Sequence, residues 1–193
     1  MFFFLAAVLL VAPAAAGRLS VLLLVSDDLT SDLGFSGGPA VTPHLDAFAR
    51  RNGTVAFSRA YAQQAICNPS RASFLTSRRP DTTRVWDLKT QFRTASGPRA
   101  ANWSTLPLFF RRRGYATAGM GKIFHPVPWR NASDDVAGGS WSVTPYFHGE
   151  GGEDTKHPLS ETNCGLASPV ASDEAFTDGM VARPAVETLR VFS

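Results

Sequence analysis

Cysteine is scarce in this chain: Cys67 and Cys164 are the only two among 193 residues. That excludes a disulfide-dense scaffold and leaves one internal bridge, between these two, as the alternative to chemistry at either. Charge is also sparse, at 18% of residues against 44% hydrophobic, which excludes a solvated, disordered chain. The net charge is only +3, and the arginines fall in short clusters at Arg50-Arg51, Arg78-Arg79 and Arg111 to Arg113. No cationic stripe is interleaved with aromatics, so nucleic acid is not expected as a partner. Repeats and low-complexity segments are missing as well. The length suffices for one domain with a core, or for part of a larger one.

Phe2 to Val11 is apolar but too short to span a bilayer comfortably, and it leads into Ala12-Pro13-Ala14-Ala15-Ala16-Gly17. Small residues at Ala14 and Ala16 fit a cleavage site, so residues 1–16 read as a signal peptide. The mature chain then starts at Gly17 with no transmembrane segment. No basic residue precedes the apolar run, and the alternative reading of that run is a buried strand. Three glycosylation sequons, at Asn52, Asn102 and Asn131, agree with entry to the secretory pathway and a lysosomal or secreted location.

The chain alternates strand and helix. Leu19 to Val25 has the continuous apolar pattern of a strand buried on both faces, and it ends in Ser26-Asp27-Asp28. Thr42-Pro43 opens a short helix with Leu45, Phe48 and Ala49 inward, and Val55 to Phe57 reads as a short strand. Pro69 to Ser77 is a helix, and Ser104 to Pro107 opens another with Leu108 and Phe109 inward and Gly114 as its stop. Tyr115 to Gly121 is a strand that delivers Lys122 and His125 beyond its end. Asn131 to Ser172 reads as a long surface excursion. Phe176 to Phe192 has helical periodicity through Met180, Val186 and Leu189, with Pro184 expected to kink or divide it.

Three groups of chemistry-bearing residues thus fall at one sheet edge. In Cys67-Asn68-Pro69-Ser70-Arg71 a thiol sits at a helix start with an arginine one turn on, an environment that lowers a thiol pKa and suits an anion. The bland reading is a half-buried cysteine. Asp27-Asp28 offers hard oxygen donors for Ca²⁺ or Mg²⁺, or else simply starts a turn. Lys122 and His125 can steady a negative substrate and move a proton, or be a solvated lysine and a packed histidine.

Taken together, these residues resemble the type I sulfatases. Cys67-Asn68-Pro69-Ser70-Arg71-Ala72-Ser73-Phe74-Leu75-Thr76 is similar to that family's first signature, and Gly114 to His125 to its second. Asp27-Asp28 is similar to its N-terminal calcium-ligand pair. The surroundings, Ala60 to Ala65, Arg78 to Arg84 and Phe124-His125-Pro126, are most similar to the branch that acts on 2-O-sulfated iduronate in glycosaminoglycans. The resemblance covers about Leu19 to Trp141. It implies an α/β, alkaline-phosphatase-like sandwich with a central, mostly parallel sheet flanked by helices. It also implies that a formylglycine-generating enzyme converts Cys67 to an aldehyde whose hydrate, held on one Ca²⁺ by Asp27, Asp28 and residue 67, attacks the sulfur of a sulfated saccharide. Arg71 would stabilise the hydrate, Lys122 the sulfuryl oxygens, and His125 would contact the second hydroxyl.

Two departures stand out within the motifs. Ser77 occupies a position where the family has glycine, which should strain the helix end, and Met120 one where it has a smaller or β-branched residue. The family's remaining calcium ligands, a further histidine and lysine, and its smaller C-terminal domain normally lie well past residue 193. Residues 17–193 are therefore expected to be the N-terminal part of a catalytic domain, with little activity alone. The rival readings are a sulfatase or a phosphate or phosphonate monoesterase for another substrate, and a non-catalytic truncated paralogue.

Overall fold

The computed structural model describes residues 5–11, 19–125, 138–143, 145 and 177–192. Within them the chain is α/β. A three-stranded sheet has β1 (Leu5–Val11) at its centre, with β2 (Val21–Ser26) and β3 (Ala116–Met120) on either side. Both ladders are antiparallel; Ala7 registers with Leu24 on one side and with Met120 on the other. β2 and β3 therefore run in the same direction, and their carboxyl ends emerge at one edge. The apolar run read as the core of a leader is the strand between them, because it has the length and composition that a central strand needs. The described strands consequently form no parallel ladder.

Other expectations shift in detail. β2 is not buried on both faces: Leu23 and Val25 pack inward, whereas Leu22 and Leu24 are 45% and 57% exposed. Among the described residues no helix covers that second face of β2. Val55 to Phe57 forms no strand and stays exposed, since β-propensity without a neighbouring strand fixes nothing.

Helix α1 (Pro43–Ala49) follows Thr42, whose hydroxyl accepts from the Gly34 N–H at 3.0 Å and donates to Asp46 Oδ1 at 2.8 Å. Its Leu45 and Phe48 are exposed rather than inward.

Helix α2 (Cys67–Thr76) starts at the cysteine itself, two residues before the sequence reading placed it. It ends at Ser77, which holds φ of 55° and donates its N–H to the Ser73 carbonyl. This left-handed cap is the glycine position of a helix terminus, so a Cβ there is strained. Replacing Ser77 by Gly should raise stability by about 1 kcal/mol in urea unfolding. An unchanged midpoint would show that the strain is relieved elsewhere.

Two single-turn helices, α3 (Pro80–Thr83) and α4 (Phe92–Ala95), follow. Helix α5 (Leu106–Arg111) is capped by Thr105, whose hydroxyl accepts from the Leu108 N–H at 3.4 Å. Leu106 and Phe110 face the core, while Phe109 lies outside beneath the Arg113 guanidinium, so the inward stripe is displaced from Leu108 and Phe109.

The stretch expected to be a surface excursion contributes to the core where it is described. Trp141 and Ser140 are fully buried, and Trp141 packs with Leu75 and Ile123. Gly119 on β3 makes the room: a Cβ there would lie 2.7 Å from the indole ring. The Ser142 N–H donates to Thr117 O at 2.9 Å and ties the segment to β3. Cys164 and Asn131 lie outside the described residues.

Helix α6 (Thr177–Phe192) runs through Pro184 as one element rather than dividing. Proline removes one backbone donor, and packing outweighs that loss. Val181 and Ala185 are buried against Ala118 and Met120, flanked by Leu189 and Phe192, whereas Val186 is exposed, off the stripe the periodicity suggested.

Candidate active site

The shared edge of β2 and β3 brings together residues far apart in sequence. Asp27 leaves the end of β2, Lys122 and His125 follow β3, and Arg71 arrives from the middle of α2. Arg71 is 2% exposed and Asp27 7%. Arg71 Nη2 donates to Asp27 Oδ1 at 2.9 Å, and Lys122 Nζ donates to Asp27 Oδ2. The other arm of the guanidinium, Nη1, donates to the Lys122 carbonyl and, at 3.0 Å, to that of Ile123. One arginine fork thus ties α2 to the ends of both strands, the geometry a planar guanidinium suits and an ammonium does not.

Burial alone would push the Asp27 carboxyl up. Hydrogen bonds from Lys122 and Arg71, with their charges, outweigh it and hold Asp27 below the usual carboxylate range. It is an anion at neutral pH. His125 moves down: burial disfavours its charged form, the Lys122 and Arg71 charges act in the same sense, and a backbone hydrogen bond with Leu88 and the Asp27 charge oppose them. Its Nδ1 is buried and makes no hydrogen bond. At pH 7 the ring is a neutral base beside two cations.

Cys67 is a half-buried free thiol at the start of α2, one turn before Arg71. Asp28 is exposed with φ of 51°, so the adjacent carboxylates diverge at the strand end, Asp27 inward and Asp28 to solvent. Among the described residues no group of three or more His, Cys, Asp or Glu side chains is placed to hold a metal. Asn52 and Asn102 are exposed, as sequons require. No helix among the described residues is long and apolar enough to cross a membrane.

The sequence reading missed Asn68 and the loop from Trp86 to Thr90. Asn68 Nδ2 donates to Asp87 O and to Thr90 O, each at 2.8 Å. The available signal was Asp87-Leu88-Lys89-Thr90, an Asx-turn pattern in which Asp87 Oδ1 accepts from the Lys89 and Thr90 N–H groups.

A cysteine at a helix start, with a carboxylate, two cations and a histidine near the carboxyl ends of two strands, stands where α/β proteins place their ligands. The chain belongs to the sulfatase family: residues 20–183 match the family described as Sulfatase. It is 46% identical over 149 residues to iduronate 2-sulfatase of Mus musculus, a match covering 77% of this chain and 24% of that protein. To iduronate 2-sulfatase of Homo sapiens it is 42% identical over 164 residues, covering 82% of this chain and 28% of the relative. Steryl-sulfatase of Mus musculus is 37% identical over 134 residues, covering 63% and 21%. The chain thus spans about a quarter of the length of these relatives. No solved structure matches it.

Proposed function

We propose that this chain carries the N-terminal half of the catalytic centre of a sulfuric ester hydrolase that removes sulfate from a glycosaminoglycan-type sugar, with 2-O-sulfated iduronate as the favoured substrate. The observation that carries the reading is the Asp27–Arg71–Lys122 cluster, in which a buried arginine of the helix that begins with Cys67 meets groups from the ends of β2 and β3. The relatives named iduronate 2-sulfatase support the choice of sugar.

Asp27 and Asp28 have the hard oxygen donors a calcium ion takes, but they diverge here and Asp27 is paired with Arg71 and Lys122, so both would have to turn toward one ion to supply part of its shell together with residue 67. Two carboxylates are too few for six to eight ligands, so the rest must come from elsewhere in the full-length protein. The ion would supply Lewis-acid stabilisation of a nucleophilic oxygen, and an aldehyde made from Cys67 would supply, once hydrated, the hydroxyls that attack and release sulfate.

The chain's own residues do the remaining work. Arg71, fixed by Asp27 and two carbonyls, holds positive charge beside residue 67 without reorganising. Lys122 balances charge on the sulfuryl oxygens. His125, its pKa lowered by burial and by the Lys122 and Arg71 charges, would accept a proton. The alkaline-phosphatase-like sandwich with a mostly parallel sheet belongs to the same proposal, as do glycans at Asn52, Asn102 and Asn131, a secreted or lysosomal location, and removal of residues 1–16, which would take β1 from between β2 and β3.

Mass spectrometry of the tryptic peptide Ala60–Arg71, from protein made in a competent secretory host, tests it. The expected mass shows the thiol sulfur replaced by an aldehyde oxygen. An unmodified thiol would favour the non-catalytic paralogue instead. For the complete protein, release of sulfate from a sulfated uronate disaccharide should exceed hydrolysis of a phosphate ester.

A further inference from the structure

Asn68 is 6% exposed in the first turn of α2, where asparagine adds little to a helix. A buried carboxamide is costly unless its polar atoms are bonded, and here both amide hydrogens reach outside the helix. They bond Asp87 O and Thr90 O, 19 and 22 residues along the chain. Gln64, three residues before Cys67, donates from Nε2 to Trp86 O at 3.3 Å. The Leu88 backbone acts on the His125 ring and favours its charged form. The loop is therefore tied, residue after residue, to the segment around Cys67 and to the end of β3.

Val85 and Phe92, buried against Ala72, anchor the two flanks of this loop, but little apolar surface is buried within it. Trp86 and Leu88 are 51% and 50% exposed, and the turn itself is closed only by Asp87 on Lys89 and Thr90. Side-chain hydrogen bonds set its position, and Asn68 makes two of them. We propose that Asn68 is a positioning residue, whose amide hydrogens fix the Trp86–Thr90 loop beside the amino end of α2 and so keep Leu88 against His125. This rests on the reading that residue 67 and His125 serve one centre.

Asn68→Asp at pH 7 is the direct test. It keeps the side-chain size, removes both donors, and places a negative charge where a helix start favours one, so α2 itself is preserved. Hydrogen exchange of residues 86–91 in the full chain should quicken about tenfold, with α2 unchanged. The His125 ring resonances should shift while those of exposed His44 stay. Asn68→Ala, which removes the donors without adding charge, should reproduce both effects. Exchange within about twofold of the parent in either variant, or a rise throughout β2 and β3, overturns the proposal. None of these readouts requires turnover, so an unmodified Cys67 would defeat the hydrolase reading without touching them.

Discussion

Arg71→Ala should lower the stability of the chain by about 3–5 kcal/mol, the usual cost of removing one partner from a buried ion pair. The magnitude follows from what the guanidinium does at 2% exposure. Its removal leaves Asp27 Oδ1 without a donor, strands the carbonyls of Lys122 and Ile123, and unties α2 from both strand ends. Lys122 would still pair with Asp27 Oδ2, which keeps the loss from being larger. Urea unfolding followed by circular dichroism measures it. Arg183→Ala is the control: its pair with Glu187, at 3.4 Å, is exposed on both sides and should contribute about 0.5 kcal/mol or less. Similar losses for the two variants would mean that water reaches the Asp27 cluster and that it does not hold the sheet edge.

Cys67→Ser in the complete protein should reduce sulfate turnover by about 10³-fold or more, the scale on which enzymes lose activity with their nucleophile. Serine preserves size and polarity, so the fold should survive. The loss is chemical. A serine oxygen that accepts a sulfuryl group stays a stable sulfate ester, because its carbon carries no second hydroxyl to expel the sulfate. The expected signature is one equivalent of product with the sulfo group retained on the protein, detected by intact mass. Sustained turnover by the serine variant would sink the idea that residue 67 must be an aldehyde.

Much of this site could be read from the sequence because its residues sit in local patterns. Cys67 to Thr76 announces a helix start carrying a nucleophile and a cation, and Asp27 and Lys122 each follow an apolar run that ends at a sheet edge. Side-chain direction was less legible. Phe109 and Phe110 are adjacent and equally apolar, and only contact with Trp141 and its neighbours selects Phe110. Trp141 itself lay in a stretch rich in loop-forming residues, where nothing local signals that Gly119 has left space for an indole. Asn68 looked like the variable letter of a motif, since the two carbonyls it bonds come from a loop brought near by the fold.

By itself, then, the sequence determined the chemistry available: which thiol, which carboxylates, which cations, and that strands would deliver them to ligand-binding ends. Periodicity and capping are properties of neighbouring residues, so these were set locally. Tertiary structure alone decided how they meet. Asp27 turns inward to two cations while Asp28 faces water, Arg71 spends both arms tying a helix to two strands, and His125 is held neutral among positive charges. These outcomes depend on burial and on distances between segments some 50 to 95 residues apart. Desolvation and Coulombic pairing act through space, and no local pattern along the chain encodes them.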